Sequence, residues 1–278
     1  MVIKITDYKI NARASTKTNL GIWNGAQLRS VLKNHAARVD CNNPKMGQCS
    51  TCTNRDCLSR KLFDNKSESE GTLLSNLCIL DAGFRTEDFK SDEIEFTLKV
   101  LGDQDTRILQ LFDKGLYIGM PKTEFKITNI EVHTTEMNVG CLNEKNENAP
   151  KKCKLTFVTP YVNKAKSELD LYKIGKSITS RVTSVINANG LGYKYDYNSV
   201  NQAINKLRVV SKDIRTTYYS KYSSRTKQLS RIRGYIGSMT LEGDFSQIYN
   251  SLKLAEALNI GKEVTMGFGK LQVEEVGD

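Results

Sequence analysis

Apolar and polar residues alternate along residues 2–12 (Val-Ile-Lys-Ile-Thr-Asp-Tyr-Lys-Ile-Asn-Ala), the period-2 pattern of a half-buried strand. The pattern then lengthens. Leu28, Val31, Leu32, His35 and Val39 recur at helical spacing and predict a helix over 24–38, with Asn24 as its N-cap. A Cys-containing loop and a polar run, 64–71, interrupt the periodicity. Alternation returns at 93–100 and again at 124–134, and the apolar residues Ile108, Leu109, Leu111 and Phe112 predict a helix over 104–118 between them. The stretch 143–152 reads as a linker or long hairpin loop. After it the order restarts: a strand at 154–159, a helix over 172–188 with Ile174, Ile178, Val182, Val185 and Ile186 on one side, and a further helix at 198–210. Strands at 214–222 and 231–241, a helix at 245–258, a glycine-rich loop and a last strand from 270 complete it. Two successive units of strand–helix–strand–strand–helix–strand character predict an α+β chain of tandem ferredoxin-like (RRM-like) domains. The first occupies 1–150, with a small four-cysteine insertion at 41–66, and the second 151–278.

The composition agrees with a packed globular chain: 278 residues, 39% hydrophobic and 26% charged, with 4 prolines. Charge adds a distinction between the halves. Residues 1–150 hold 20 basic and 20 acidic side chains, whereas 151–278 hold 21 and 11, so the net +10 resides entirely in the second half. A one-sided excess of this kind points to a polyanionic partner. No run of about 18 apolar residues predicts a membrane span, and the first residues lack the basic-then-apolar layout of a secretion signal. The expected compartment is the cytoplasm.

Seven cysteines in such a chain are expected as reduced thiols or metal ligands. Cys41, Cys49, Cys52 and Cys57 are spaced C-x7-C-x2-C-x4-C, and four thiolates at this range close a tetrahedral shell around zinc. An iron–sulfur cluster accepts the same ligand set. Because four sulfurs leave no open coordination position, the expected metal is structural, with no catalytic metal. Cys78, Cys141 and Cys153 are scattered and read as core or surface thiols.

The basic excess is concentrated. Lys206, Arg208, Lys212, Arg215, Lys221, Arg225, Lys227, Arg231 and Arg233 are interrupted by one acid, Asp213, and interleaved with Tyr218, Tyr219 and Tyr222. Cations neutralise phosphates while tyrosine rings stack on unpaired bases, so the stretch reads as an RNA-binding surface; a solvated basic hairpin has the same composition. No wide apolar face accompanies the charge, which argues against a membrane. In the loop Gly261–Lys270, Gly261, Gly267 and Gly269 let backbone N–H groups approach phosphate oxygens, Lys262 and Lys270 add charge, and Phe268 lies among them. A helix C-cap followed by a bulge would need the same glycines.

Taken together, the ending from Gly234-Tyr-Ile-Gly237 through Gly261-Lys-Glu-Val-Thr-Met-Gly267-Phe-Gly269-Lys270 resembles the CRISPR-associated RAMP superfamily. It is most similar there to the endoribonucleases that process precursor crRNA, the Cas6 family. Asn24-Gly25 with Leu28-Arg29, the cysteine cluster and Leu62-Phe63-Asp64 resemble a branch with a cysteine-rich metal-binding insertion. The resemblance implies binding of CRISPR repeat RNA in a basic cleft, with subunits of a CRISPR effector complex as further partners. It also implies metal-independent cleavage: the 2′-OH attacks the adjacent phosphate and leaves 2′,3′-cyclic phosphate and 5′-OH ends. Such chemistry needs a base, an acid and a cation. His35 is the expected acid/base, with Lys33 and Arg29 on the same helix as charge stabilisers; its place on the apolar stripe equally suits a core histidine. His133, the second of two histidines, is a weaker candidate. A RAMP subunit that holds crRNA without cutting it is the rival reading.

Overall fold

A computed structural model describes residues 1–41, 54, 56–64, 75–85, 87–103, 105–163, 168–223 and 228–277. The first half contains β1 (Val2–Gly21), α1 (Gly25–Asp40), α2 (Leu58–Phe63), β2 (Cys78–Asp81), β3 (Phe89–Leu101), a 3₁₀ helix (Thr106–Phe112), β4 (Leu116–Ile118) and β5 (Thr123–Asn138). The second contains β6 (Lys152–Tyr161), α3 (Leu171–Ala188), α4 (Tyr197–Lys206), β7 (Arg208–Ser223), β8 (Gln228–Glu242), α5 (Tyr249–Leu258), a 3₁₀ turn (Val264–Met266) and β9 (Leu271–Glu275).

Both sheets are antiparallel, in the orders β2-β3-β1-β5-β4 and β7-β8-β6-β9. Numbering the strands of each unit one to four, both follow the order 2-3-1-4 of a ferredoxin-like fold, and β4 is an extra edge strand. The predicted fold class is therefore borne out.

The strand β1 supplies residues to two cores. Ile3 and Ile5, on one face, join a cluster with Leu155, Phe157, Ile178 and Leu258 of the second half. From Tyr8 onward the buried parity switches, and Tyr8, Ile10, Ala12 and Ala14 pack on the other face with Leu28 and Leu32 of α1 and Phe63 of α2. Period-2 geometry requires that these sets face opposite ways. Each fully buried aliphatic side chain contributes about 1.5–3 kcal/mol, so the junction of the halves rests on a packed apolar contact.

The structure departs from the sequence-based expectations in four places. Only residues 106–112 of the expected helix 104–118 are helical, as a 3₁₀ turn capped by Asp105, whose carboxylate accepts from Arg107 N at 3.1 Å. Gly115 ends it, and Leu116 and Ile118 then bury alternately as β4. The helix expected over 198–210 stops at Lys206, because the strand β7 takes the chain from Arg208. Asn24 is the N-cap of α1 by position, but its side chain makes no capping bond. Segment 143–151 is no free linker: Asn143 bonds Tyr193 and Lys194, and Asn146 bonds Asn250.

Candidate nucleic-acid interface

The helix α1 meets the glycine-rich loop of the other half through its first two turns. Gly25 opens the helix, and a Cβ there would overlap the Met266 carbonyl oxygen and lie 2.5 Å from Trp23 Nε1, so only glycine allows this approach. Trp23 Nε1 donates to Met266 O at 3.0 Å, and Arg29 Nε donates to Thr265 Oγ1 at 3.0 Å. Both bonds span more than 230 residues of sequence.

Arg29 also donates through Nη2 to Phe63 O at 2.8 Å and lies 3.6 Å from Asp64 Oδ1. Lys33, one turn further on α1, forms an ion pair with the same carboxylate. Two cations thus share one acid, leaving one positive charge beside the loop. His35 is not with them. It sits about 160° around the helix from Lys33 and about 120° from Arg29, buried at 7% exposure, with Nδ1 donating to Leu111 O at 2.7 Å. That bond fixes the tautomer and leaves Nε2 as the unprotonated nitrogen. Burial, opposed by the Leu111 bond and aided by Arg38 and Lys114, lowers the imidazole's pKa. The structure therefore joins Arg29 to Lys33 and gives His35 a core position on another face. His133 is exposed on β5 opposite Asp7 of β1.

The glycines of the loop serve its packing. A Cβ on Gly261 would lie 2.6 Å from Val162 O, one on Gly267 2.6 Å from Leu80 O, and one on Gly269 2.9 Å from Ile260 C; all three have positive φ. Phe268 is fully buried, and Trp23, Phe84, Tyr219 and Phe268 form one cluster with centroid distances of 4.7–6.2 Å. Gly267, Phe268, Gly269 and Tyr219, expected from the sequence to contact RNA, are buried against protein in this structure. Lys262 is exposed on the loop, and Lys270 pairs with Asp81 of β2.

The basic stretch forms the hairpin β7–β8. Because β6 pairs with β8 only from Tyr235 onward, residues 228–234 of β8 have β7 as their one strand partner among the described residues, and a two-stranded ribbon projects from the sheet. One face of the ribbon carries Tyr219 and Ile232 into the aromatic cluster. The other carries cation–aromatic pairs: Arg231 over Tyr218 at 3.9 Å and Arg233 over Tyr235 at 5.3 Å. Lys206, Arg215, Tyr218 and Arg231 are exposed. Arg208 pairs with Glu242, Lys212 with Glu168 at 2.8 Å and Lys221 with Glu263 at 3.6 Å. The Tyr222 side chain, Arg225 and Lys227 lie outside the described residues.

Residues 155–271, which include the ribbon, the aromatic cluster's Tyr219 and Phe268, and the whole glycine-rich loop, match the family model of the CRISPR-associated endoribonuclease Cas6. Over this stretch the chain is similar to the Cas6 family. The fold agrees over the full length. A Thermus thermophilus Cas6 in a product complex superposes with a TM-score of 0.64 at 13% identity, covering 97% of this chain and 99% of that one. A second Cas6 product complex gives 0.56 at 12% identity, with 99% and 100% covered. A partial Cas6–RT–Cas1–Cas2 complex gives 0.55 at 10% identity, covering 99% of this chain and 46% of that chain. At such identities the likeness is one of fold. No curated protein matches the sequence.

The Cas6 match leaves the cysteine segment aside. Cys49 and Cys52 lie outside the described residues. Cys41 caps the C-terminus of α1 and Cys57 the N-terminus of α2, and Asp40 ties the two ends by accepting from Leu58 N at 3.0 and 3.2 Å. Cys41 and Cys57, two of the four predicted ligands, thus stand beside the ends that this contact joins. Burial pushes the Cys57 thiol up. Among the described residues no group of three or more His, Cys, Asp or Glu side chains gathers to hold a metal, and no helix is long and apolar enough to cross a membrane.

Trp23, Asp64, Phe84 and Thr265 were not predicted as site residues. Asp64 and Thr265 lie in the segments that carry the family resemblance, whereas Trp23 and Phe84 had no sequence signal.

Proposed function

We propose that this chain is an endoribonuclease that binds CRISPR repeat RNA and cuts precursor crRNA. The observation that carries the reading is the Cas6 match over the same residues that build the ribbon and its loop. The exposed Arg231–Tyr218 pair and Arg215 offer phosphate neutralisation and a stacking surface on a projecting hairpin. The charge left beside the loop by Arg29 and Lys33 against Asp64 stabilises the additional negative charge of a phosphorane-like transition state. CRISPR proteins of an effector complex are the further partners.

The proposed reaction is transesterification by the RNA's own 2′-OH, with no catalytic metal. The 2′ oxygen forms a bond to phosphorus as the bond to the 5′ oxygen breaks; the 2′ proton passes to a base, and an acid protonates the leaving oxygen. His35, neutral and fixed with Nε2 unprotonated, has the form a base requires. Its burial favours a second reading, a family member that holds the RNA uncut. Cys41, Cys49, Cys52 and Cys57 would hold a structural zinc, and elemental analysis is expected to return about one zinc per chain, the stoichiometry of a four-thiolate site.

Labelled repeat RNA incubated with the protein in excess EDTA tests the reading. Cleavage at one position, with cyclic phosphate on the upstream fragment, is the expected result. Tight binding with all RNA intact would replace it with the holding function.

A further inference from the structure

Two cations hold the end of α5. Carbonyls at a helix C-terminus lack intrahelical donors and favour positive charge. Lys99 Nζ, from β3 of the first half, donates to Ala257 O at 3.1 Å, and Arg181 Nε, from α3, donates to Leu258 O at 3.1 Å. Arg181 also donates through Nη1 to Ser75 Oγ, so one side chain joins α3, α5 and the segment that leads into β2. It is 6% exposed, and among the described residues no carboxylate pairs with it and its Nη2 has no hydrogen-bond partner. Burial lowers its pKa to about 10, as befits a charge kept in the interior without a counter-ion. An apolar side chain of similar length would fill the same volume without the desolvation penalty, so packing alone does not account for a guanidinium here. What the guanidinium adds is direction: two fixed donors on two acceptors from different halves of the chain.

Those acceptors lie at the root of the glycine-rich loop. Directly after Leu258, Asn259 takes a φ of 52° and its Nδ2 donates to Phe268 O at 3.2 Å, while Ile260 N donates to Gly269 O at 2.9 Å. The two ends of the loop are thus tied together one and two residues beyond Leu258, and its tip carries the bonds of Thr265 to Arg29 and of Met266 to Trp23. We propose that Arg181 is a positioning residue: by fixing Leu258 O to Ser75 it seats the glycine-rich loop on α1 and keeps Arg29 in place beside Lys33 and Asp64. Being buried, it acts through the loop and makes no contact with RNA. The effect on cutting rests on the nuclease reading; the effect on the loop does not.

The test compares Arg181→Met, which keeps the length and removes the donors, with Arg181→Lys, which keeps the charge and can reach one acceptor. Acrylamide quenching of Trp23, the one tryptophan, reads the seating of the loop without RNA. Arg181→Met is expected to quench faster than wild type with a red-shifted emission, and Arg181→Lys to fall between them. The urea midpoint of Arg181→Met is expected to match wild type, because the relieved desolvation offsets the lost hydrogen bonds. With repeat RNA at saturating protein, cutting is expected to slow about tenfold in Arg181→Met at unchanged Kd, since a charge-stabilising group is displaced and no RNA contact is lost. Partial recovery is expected in Arg181→Lys. Quenching equal to wild type in both variants overturns the proposal. So does a urea midpoint that falls in step with the cutting rate in both, which is the behaviour of a residue that only supports the core. A wild-type chain that binds repeat RNA and leaves it whole fails the nuclease reading instead, and the quenching then decides the role of Arg181 by itself.

Discussion

Replacing Gly25 by alanine probes the contact on which the interface depends. In an ordinary helix the change is favourable, because alanine exceeds glycine by up to about 1 kcal/mol in propensity. Here the new methyl overlaps the Met266 carbonyl oxygen, lies 2.5 Å from Trp23 Nε1 and 3.1 Å from Met266 C. Two of these partners are backbone atoms of a loop whose glycines are themselves packed to backbone, so the loop must shift by roughly 1 Å to restore contact distance. Overpacking of this kind costs about 1–3 kcal/mol, and breaking the Trp23–Met266 hydrogen bond adds about 0.5–1.5 kcal/mol. Set against the propensity gain, Gly25→Ala is expected to destabilise the chain by about 1–3 kcal/mol. Urea unfolding followed by the fluorescence of Trp23, the one tryptophan in the chain, measures both the stability and the local change. A variant equal to wild type in stability and emission, or more stable, would refute the proposed tightness of the contact.

Further expectations follow from the same geometry. Phe268→Ala empties a fully buried position in the aromatic cluster and is expected to cost about 3–5 kcal/mol in the same assay. His35 has its pKa lowered by burial, so the unfolded chain binds more protons at mildly acid pH. Its contribution to stability is intact above about pH 6.5, the unfolded value, and is lost as pH falls toward the depressed folded value. His35→Asn is expected to flatten the stability profile between about pH 7 and 5; equal slopes in both chains would count against the buried neutral form. Arg231→Ala and Arg215→Ala are expected to weaken repeat-RNA binding and to reduce its salt dependence by about one ion each, as titrations at several salt concentrations would show. An unchanged salt slope would remove the ribbon from the interface.

Periodicity carried most of the fold into view. β1, β3 and β5 alternate and were legible, although β1 and β5 run further than their alternation, β1 because it supplies residues to both cores along its length. Residues 104–118 have the pattern of one helix because Ile108, Leu111 and Phe112 give helical spacing in a segment too short to continue past Gly115. β2, four residues with three buried in succession, has no period to detect. At the interface, Lys and Arg betrayed the ribbon, but aromatic and glycine residues carry no mark of whether they serve a ligand or one another. Tyr219 and Phe268 pack on Trp23 and Phe84 from the other half of the chain, a partnership that only the fold reveals. Likewise Arg29 and Lys33 were found together, whereas the angular offset of His35 places it against Leu111.

The central claim is that the RNA supplies its own nucleophile. Once the cleavage position in the repeat is mapped, one 2′-deoxy nucleotide placed immediately upstream of the scissile phosphate tests this directly. The account predicts that binding is retained and cutting is abolished at that phosphate. Cleavage of the deoxy substrate at the same position, in EDTA and at the rate of the all-ribose RNA, would contradict it.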